Sequence, residues 1–198
     1  MYTPSHFRED RPEIQREFMR AHPLVTLVTH SPAGLDANHI PVLVDDAVTL
    51  IRGHIARANP VWREAGTEEA LAIFTGEQYY VSPSWYPSKQ EHGKVVPTWN
   101  YQTVHAHGTL TFFEDKAKLR DLVDELTRAN ESKFPQPWGI SDAPPEYIDG
   151  LLSAIVGFEL RITRLVAKFK QSQNRPEADR AGVAAARSIR LGMQVSEG

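Results

Sequence analysis

The segment Leu50-Ile51-Arg52-Gly53-His54-Ile55-Ala56-Arg57-Ala58-Asn59-Pro60 organises the reading of this chain. Its apolar, β-branched first half predicts a strand. Its second half predicts a sharp turn into a helix, with Asn59 as N-cap and Pro60 at the first helical position. A helix N-terminus presents unpaired backbone N–H groups and a partial positive charge, so His54 and Arg57 beside it make a plausible seat for a phosphate dianion. A capped helix with two surface polar residues explains the same letters, and the choice rests on what surrounds the segment.

Upstream, Pro12 to Ala21 predicts a short helix with Ile14, Phe18 and Met19 (or Ala21) on one face, ended by His22-Pro23. Leu24 to His30 predicts a strand, Ser31-Pro32-Ala33-Gly34 a turn, and Asn38 to Val44 a second strand interrupted by Pro41. Proline inside a strand marks an edge or a bulge, where one side of the backbone is free to meet something else. With Val48 to His54 this gives a three-stranded meander. Downstream come a short helix at Pro60 to Ala65, strands at Ala70 to Phe74 and Gln78 to Val81, and a long polar loop from Ser82 to Pro97. Val104 to Phe113 alternates apolar and polar residues, Asp115 to Ala129 carries a helical stripe, Pro145 to Leu152 a short helix, and Ile155 to Lys168 a long strand. A last helix spans about 176–191, rich in alanine and arginine. Six or seven strands in meander order, without βαβ alternation, predict a mainly β fold: one domain over 1–198, an antiparallel barrel with peripheral helices.

Composition narrows the function classes. Lys+Arg number 22 against 25 Asp+Glu, for a net charge of −3, which gives no global electrostatic footprint for duplex nucleic acid. The chain has no cysteine, so disulfides, thiolate metal ligands and a cysteine nucleophile are excluded. The first residues lack the apolar stretch of a signal peptide and no run is long enough to span a bilayer, so the expectation is a cytoplasmic protein without a membrane segment.

Common catalytic signatures are absent: there is no Gly-x-Gly-x-x-Gly, Gly-x-Ser-x-Gly or His-Glu-x-x-His, and Gly93-Lys94 is followed by Val95 rather than Ser or Thr. His105 and His107 share a strand face at a spacing that ligates metals in some barrels, but Glu114 falls beyond the strand end and no metal is assigned. Tyr79 to Pro87 and Val96 to Tyr101 mix aromatics with prolines and polar residues, which suits a wall for a flat conjugated ligand or a packed contact between subunits. Lys168 to Arg175 places three cations and four amides or hydroxyls before a proline-started helix: a second natural anion site, or a solvated turn.

Taken in series, several segments resemble the FMN-binding transcriptional regulators of the PaiB type. They are Asn38-His39-Ile40-Pro41, Gly53 through Pro60, Tyr80-Val81-Ser82-Pro83-Ser84-Trp85-Tyr86, Val96-Pro97-Thr98-Trp99-Asn100-Tyr101 with Val104-His105, and Lys170 through Arg175. Met1-Tyr2-Thr3-Pro4 followed by Phe7 fits too, and Gln171 departs from the apolar residue expected at its place. The resemblance implies a flavin-binding split barrel, related in fold to pyridoxamine-phosphate oxidases, built as a homodimer with FMN between subunits. It implies that His54, Arg57 and Asn59 hold the phosphate and that Asn38, His39, Ile40 and Pro41 offer backbone groups beside the flavin ring. It further implies that Trp99 and Asn100 come from the partner subunit and that Lys170, Gln173 and Arg175 close the cleft.

Three functions compete at this stage. One is an FMN-binding regulator with DNA as partner, for which Arg175, Arg180, Arg187 and Arg190 are the basic candidates and a helix-turn-helix is lacking. The second is a flavin oxidoreductase or flavin reductase, with His39 and His105 nearest to an acid or base and no catalytic residue assigned. The third is a haem-handling split barrel, for which spacing selects no histidine.

Overall fold

Alternating burial along the strands builds the sheet. In the computed structural model, residues 1–64 and 69–196 are described, with side chains through residue 189. The expected helix end at Ala65 and the side chain of Arg190 lie outside the described residues. The described chain forms two compact units: one comprises Arg11–Thr75 and Val104–Val166, the other Met1–Asp10, Gly76–Thr103 and the segment from Ala167 onward.

Six strands occur among the described residues: β1 (Leu24–Ser31), β2 (Gly34–Val44), β3 (Leu50–Ala56), β4 (Glu69–Val81), β5 (Thr98–Phe113) and β6 (Ile155–Lys170). Their order is β1-β2-β3-β6-β5-β4, and β4 returns to β1 through Thr26↔Ile73, Leu27↔Ala72 and Val28↔Leu71. The antiparallel barrel expected from the sequence is therefore present. Its order departs from a plain meander, because β6 pairs with β3 over seven residues, Leu50↔Arg161 to Ala56↔Ile155. The physical reason is edge protection: β6 and β4 cover what would otherwise be the open edges of the first three strands.

In the first unit, Val25, Leu27, Val42, Ile51, Phe74, Val104, Phe158 and Leu160 form the buried core. Two glycines permit close approach. A Cβ at Gly53 would strike the Phe158 ring, and one at Gly108 would strike the Arg161 carbonyl. Among the described residues, four α-helices belong to this unit: α1 (Pro12–Ala21), α2 (Val61–Glu64), α4 (Lys116–Glu131) and α5 (Pro145–Ser153). Asp115 caps α4 by accepting from the Lys118 N–H at 2.8 Å. Ion pairs Arg52–Glu125 (2.5 Å) and Lys118–Glu159 (2.7 Å) tie α4 to β3 and β6, while Leu119 packs with Ile148 and Leu152 of α5.

Pro41 does not interrupt β2. The strand is continuous and pairs with β1 from Ser31↔Gly34 to Leu24↔Pro41. On its other side, the register with β3 covers only Val42↔Gly53, Leu43↔Arg52 and Val44↔Ile51. Proline, which has no N–H to donate, stands where the β2–β3 ladder stops.

The second unit contains α3 (Ser88–His92), α6 (Glu177–Ser196) and parts of β4, β5 and β6. The expected Ser82–Pro97 loop is partly ordered: a 3₁₀ turn spans Pro83–Trp85 and α3 follows. Tyr86, Val81 and Val183 form its apolar cluster. Asp179, 1% exposed, accepts from the Ser88 N–H (3.1 Å) and Oγ–H (2.7 Å), fixing α6 to the start of α3. The N-terminal segment joins this unit through the Glu9 N–H to the Ala167 carbonyl and the Arg8↔Lys168 bridge.

Candidate functional site

The two ends of the Asn38–Pro41 and Gly53–Pro60 readings meet. Asn59 Nδ2 donates to Asn38 Oδ1 at 2.7 Å, while Asn59 Oδ1 accepts from the Val61 N–H at 3.0 Å. Asn59 is thus the cap the sequence predicts, and its amide also bridges to the unpaired edge of β2. Asn38 Nδ2 in turn donates to Asp36 at 2.8 Å. An open cleft of about 680 Å³ lies here, lined by residues including Thr29, Ser31, Asp36, Asn38, Asn59 and Glu64. His39 is exposed and shares a 3.1 Å hydrogen bond with Thr26 Oγ1; Ile40 is buried, and Pro41 is exposed.

His54 and Arg57 are held differently. Neither lines this cleft. His54 pairs with Gly157 across the β3–β6 ladder, and its buried Nδ1 has no hydrogen-bond partner. Burial pushes its imidazole below the usual range, since desolvation disfavours the charged ring. Arg57 donates from Nε to the Ser153 carbonyl (2.8 Å), from one terminal nitrogen to the Ile155 carbonyl (3.1 Å) and from the other to the Glu114 carboxylate. Its backbone N–H reaches the Ala154 carbonyl at 2.8 Å, and its carbonyl accepts from Trp62 Nε1 at 3.0 Å. The guanidinium therefore caps the C-terminal end of α5, where free carbonyls carry partial negative charge.

The remaining expected residues gather in the second unit. Asn100 is wholly buried; its Nδ2 donates to Tyr79 Oη (3.2 Å) and Ser172 Oγ (2.9 Å). Ser172 itself takes a left-handed φ of 63°, a backbone state that non-glycine residues adopt seldom. Lys170 Nζ donates to Thr98 Oγ1 and to the Trp99 carbonyl (2.9 Å). Burial, with Lys168 and Arg175 nearby, holds its ammonium below the usual range. Gln173 folds back, its Oε1 accepting from the Gln171 N–H (2.6 Å) and its Nε2 donating to the Phe169 carbonyl. Arg175 lies 5.0 Å from the Tyr86 ring centre. Trp99 is 55% exposed and meets Tyr80 edge-on at 6.0 Å.

Asp36 is the participant that sequence reasoning did not name; Tyr79 and Ser172 fall within stretches it marked, without individual roles. The Asp36-x-Asn38 spacing places both on one strand face and was a readable signal. The left-handed turn at Ser172 had none. His105 and His107 lie on the outer face of β5, where His107 Nδ1 stands 3.1 Å from Glu69; no group of three or more potential metal ligands occurs among the described residues.

As a donor set, the cleft suits a flavin in part. Two amides, two hydroxyls and the unpaired β2 edge match ring carbonyl, ring N–H and ribityl groups. Its charged lining, Asp36 and Glu64, is acidic, so these residues offer no countercharge to a phosphate.

Comparison with known proteins agrees with this chemistry. The family described as "Putative FMN-binding domain" matches residues 1–164. Protease synthase and sporulation protein PAI 2 of Bacillus subtilis is 32% identical over 182 residues, covering 90% of this chain and 85% of that protein. An uncharacterized protein of Aspergillus fumigatus is 35% identical over 232 residues, covering 92% and 89%. Among solved structures, a conserved hypothetical protein of Mycobacterium tuberculosis superposes with a TM-score of 0.60 at 12% identity, covering 89% of this chain and 95% of that one. The FAD and heme binding protein of Mycobacterium smegmatis does so with a TM-score of 0.58 at 15% identity, covering 90% and 79%. At these identities the structural likeness concerns the fold alone. The family match and the bacterial relative, each spanning most of the chain, place this protein in the FMN-binding domain family to which the PaiB-type resemblance pointed.

Proposed function

We propose that this protein binds FMN as a homodimer with the flavin at the subunit interface. The observation that carries the reading is the Asn59–Asn38 hydrogen bond, which joins the helix-capping turn to the unpaired edge of β2 beside an open polar cleft. In this reading the flavin ring lies along the Asn38–Pro41 edge and Asn59 fixes its polar side. Exposed Trp99 approaches from the partner subunit, while buried Asn100 holds Tyr79 and Ser172 behind it rather than meeting the flavin, and Lys170, Gln173 and Arg175 close the site and supply positive charge. When bound, FMN itself supplies hydride or electron chemistry; the protein supplies position and exclusion of water. Titration of FMN with purified protein, followed by flavin fluorescence and by molar mass in solution, tests it. Saturation at one FMN per chain in a dimer supports the reading, and absence of saturable binding sinks it.

A regulatory role with DNA as partner is the finer part of the proposal and rests on the resemblance to the PaiB-type regulators. Local electrostatics give it little help: Arg187 pairs with Glu77 and lies over Tyr79, and Arg175 lies over Tyr86. A gel-shift at moderate salt, with and without FMN, decides it; no sequence-selective shift in either state removes the regulator role and leaves flavin chemistry.

A further inference from the structure

We infer that Arg57 and Glu114 act as a clamp that positions the flavin-binding turn without touching the flavin, an inference that rests on the function proposed above. Arg57 sits two residues before Asn59, at the point where β3 gives way to the turn. Its guanidinium is held by the Ser153 carbonyl at the end of α5, the Ile155 carbonyl at the start of β6 and the Glu114 carboxylate. Its own backbone is held on both sides, by the Ala154 carbonyl and by the Trp62 indole. The turn it leads into makes the cleft: Ala58, Asn59, Pro60 and Val61 line it, whereas Arg57 does not.

The chain of contacts explains how a distant carboxylate reaches the ligand. Glu114 lies at the β5–α4 junction, immediately before the Asp115 cap. Its charge orients a guanidinium whose planar fork spans acceptors from the α5–β6 junction. That fork sets the position of Ala56–Asn59 relative to β6, and Asn59 carries the position to Asn38. Because Arg57 caps carbonyls and Glu114 neutralises it, the pair is a structural unit that an arriving phosphate would have to dismantle.

The test uses the full chain and four variants: Glu114→Ala, Glu114→Gln, Arg57→Lys and, as a contact control, Asn59→Ala. Affinities for FMN and for riboflavin, which lacks the phosphate, are measured together with amide hydrogen exchange. A positioning role weakens both ligands by the same factor in Glu114→Ala and Arg57→Lys, about fivefold to tenfold, the scale of one net charge-assisted hydrogen bond. Glu114→Gln keeps an acceptor oxygen and stays within about twofold of wild type. Exchange speeds up at Ala58, Asn59 and Val61 in the weakened variants and stays unchanged in α6. Loss of FMN affinity with riboflavin affinity intact overturns the inference, since Arg57 would then contact the phosphate. Unchanged exchange at the turn in Glu114→Ala and Arg57→Lys overturns it as well, and does so whether or not a flavin binds. Failure of wild-type protein to bind either ligand is instead a failure of the flavin reading, while the exchange data still decide the clamp.

Discussion

The β3–α2 and β6–α6 junctions are written in similar residues: a cation, an asparagine and a proline that starts a helix. At the first, Arg57 is enclosed by a carboxylate and two carbonyls, and the cleft beside it is acidic. At the second, Lys170 donates to a hydroxyl and a carbonyl, and burial, with Lys168 and Arg175 adding to it, holds its ammonium below the usual range. A cation with an internal carboxylate partner is part of the scaffold. One surrounded by neutral acceptors and other cations keeps the field that an anion feels. Motif reading alone treats the two junctions alike; the partners separate them.

That contrast makes Arg57→Ala the most damaging change. It strands two carbonyls and a carboxylate, so unfolding in urea should show a loss of about 2–3 kcal/mol after allowance for partial exposure. A loss under about 0.5 kcal/mol would mean the contacts are ornamental. Lys170→Gln should reverse the pattern, leaving stability nearly intact while costing FMN binding about 1.5–3 kcal/mol, as expected for a charge-assisted contact to phosphate. Calorimetric titration beside urea melts separates the two effects, and a Lys170 variant that binds FMN like wild type would erase the distinction.

The pH response gives a smaller effect. Burial lowers the His54 imidazole, so the unfolded chain binds a proton there more readily than the folded one. The associated stability is complete above the ordinary imidazole range and is lost as pH falls through the folded value. Stability should therefore drop as pH falls below the ordinary imidazole range, and the drop should be shallower in His54→Asn. His105 and His107 shift the same way, again chiefly by burial, so the difference between variant and wild type is the informative quantity. Identical pH slopes would place His54 in a wetter setting than β3 provides. Smallest of all, Arg187→Ala removes a half-exposed pair with Glu77 and should change stability by roughly 0.5 kcal/mol.

Periodicity carried most of the fold. The alternation of Val104, Ala106 and Gly108 against His105 and His107, and the Leu119, Leu122 and Leu126 stripe of α4, are local patterns that burial enforces directly. The pairing of β6 with β3 was not legible, because it joins residues about a hundred positions apart and strand order leaves no local trace. The site divides along the same line. Asn59 as a cap was readable from Asn59-Pro60, whereas its second bond to Asn38 depends on where the β2–β3 ladder ends. Arg57 was read as a phosphate ligand from its neighbours in sequence; its partners at Glu114, Ser153 and Ile155 come from segments that only the fold brings near.

Solving the structure with FMN bound tests the central claim most directly. The account expects the flavin ring along Asn38–Pro41 of β2 with Asn38 and Asn59 within hydrogen-bonding distance, and Arg57 still on Glu114. A flavin seated away from both asparagines would contradict it.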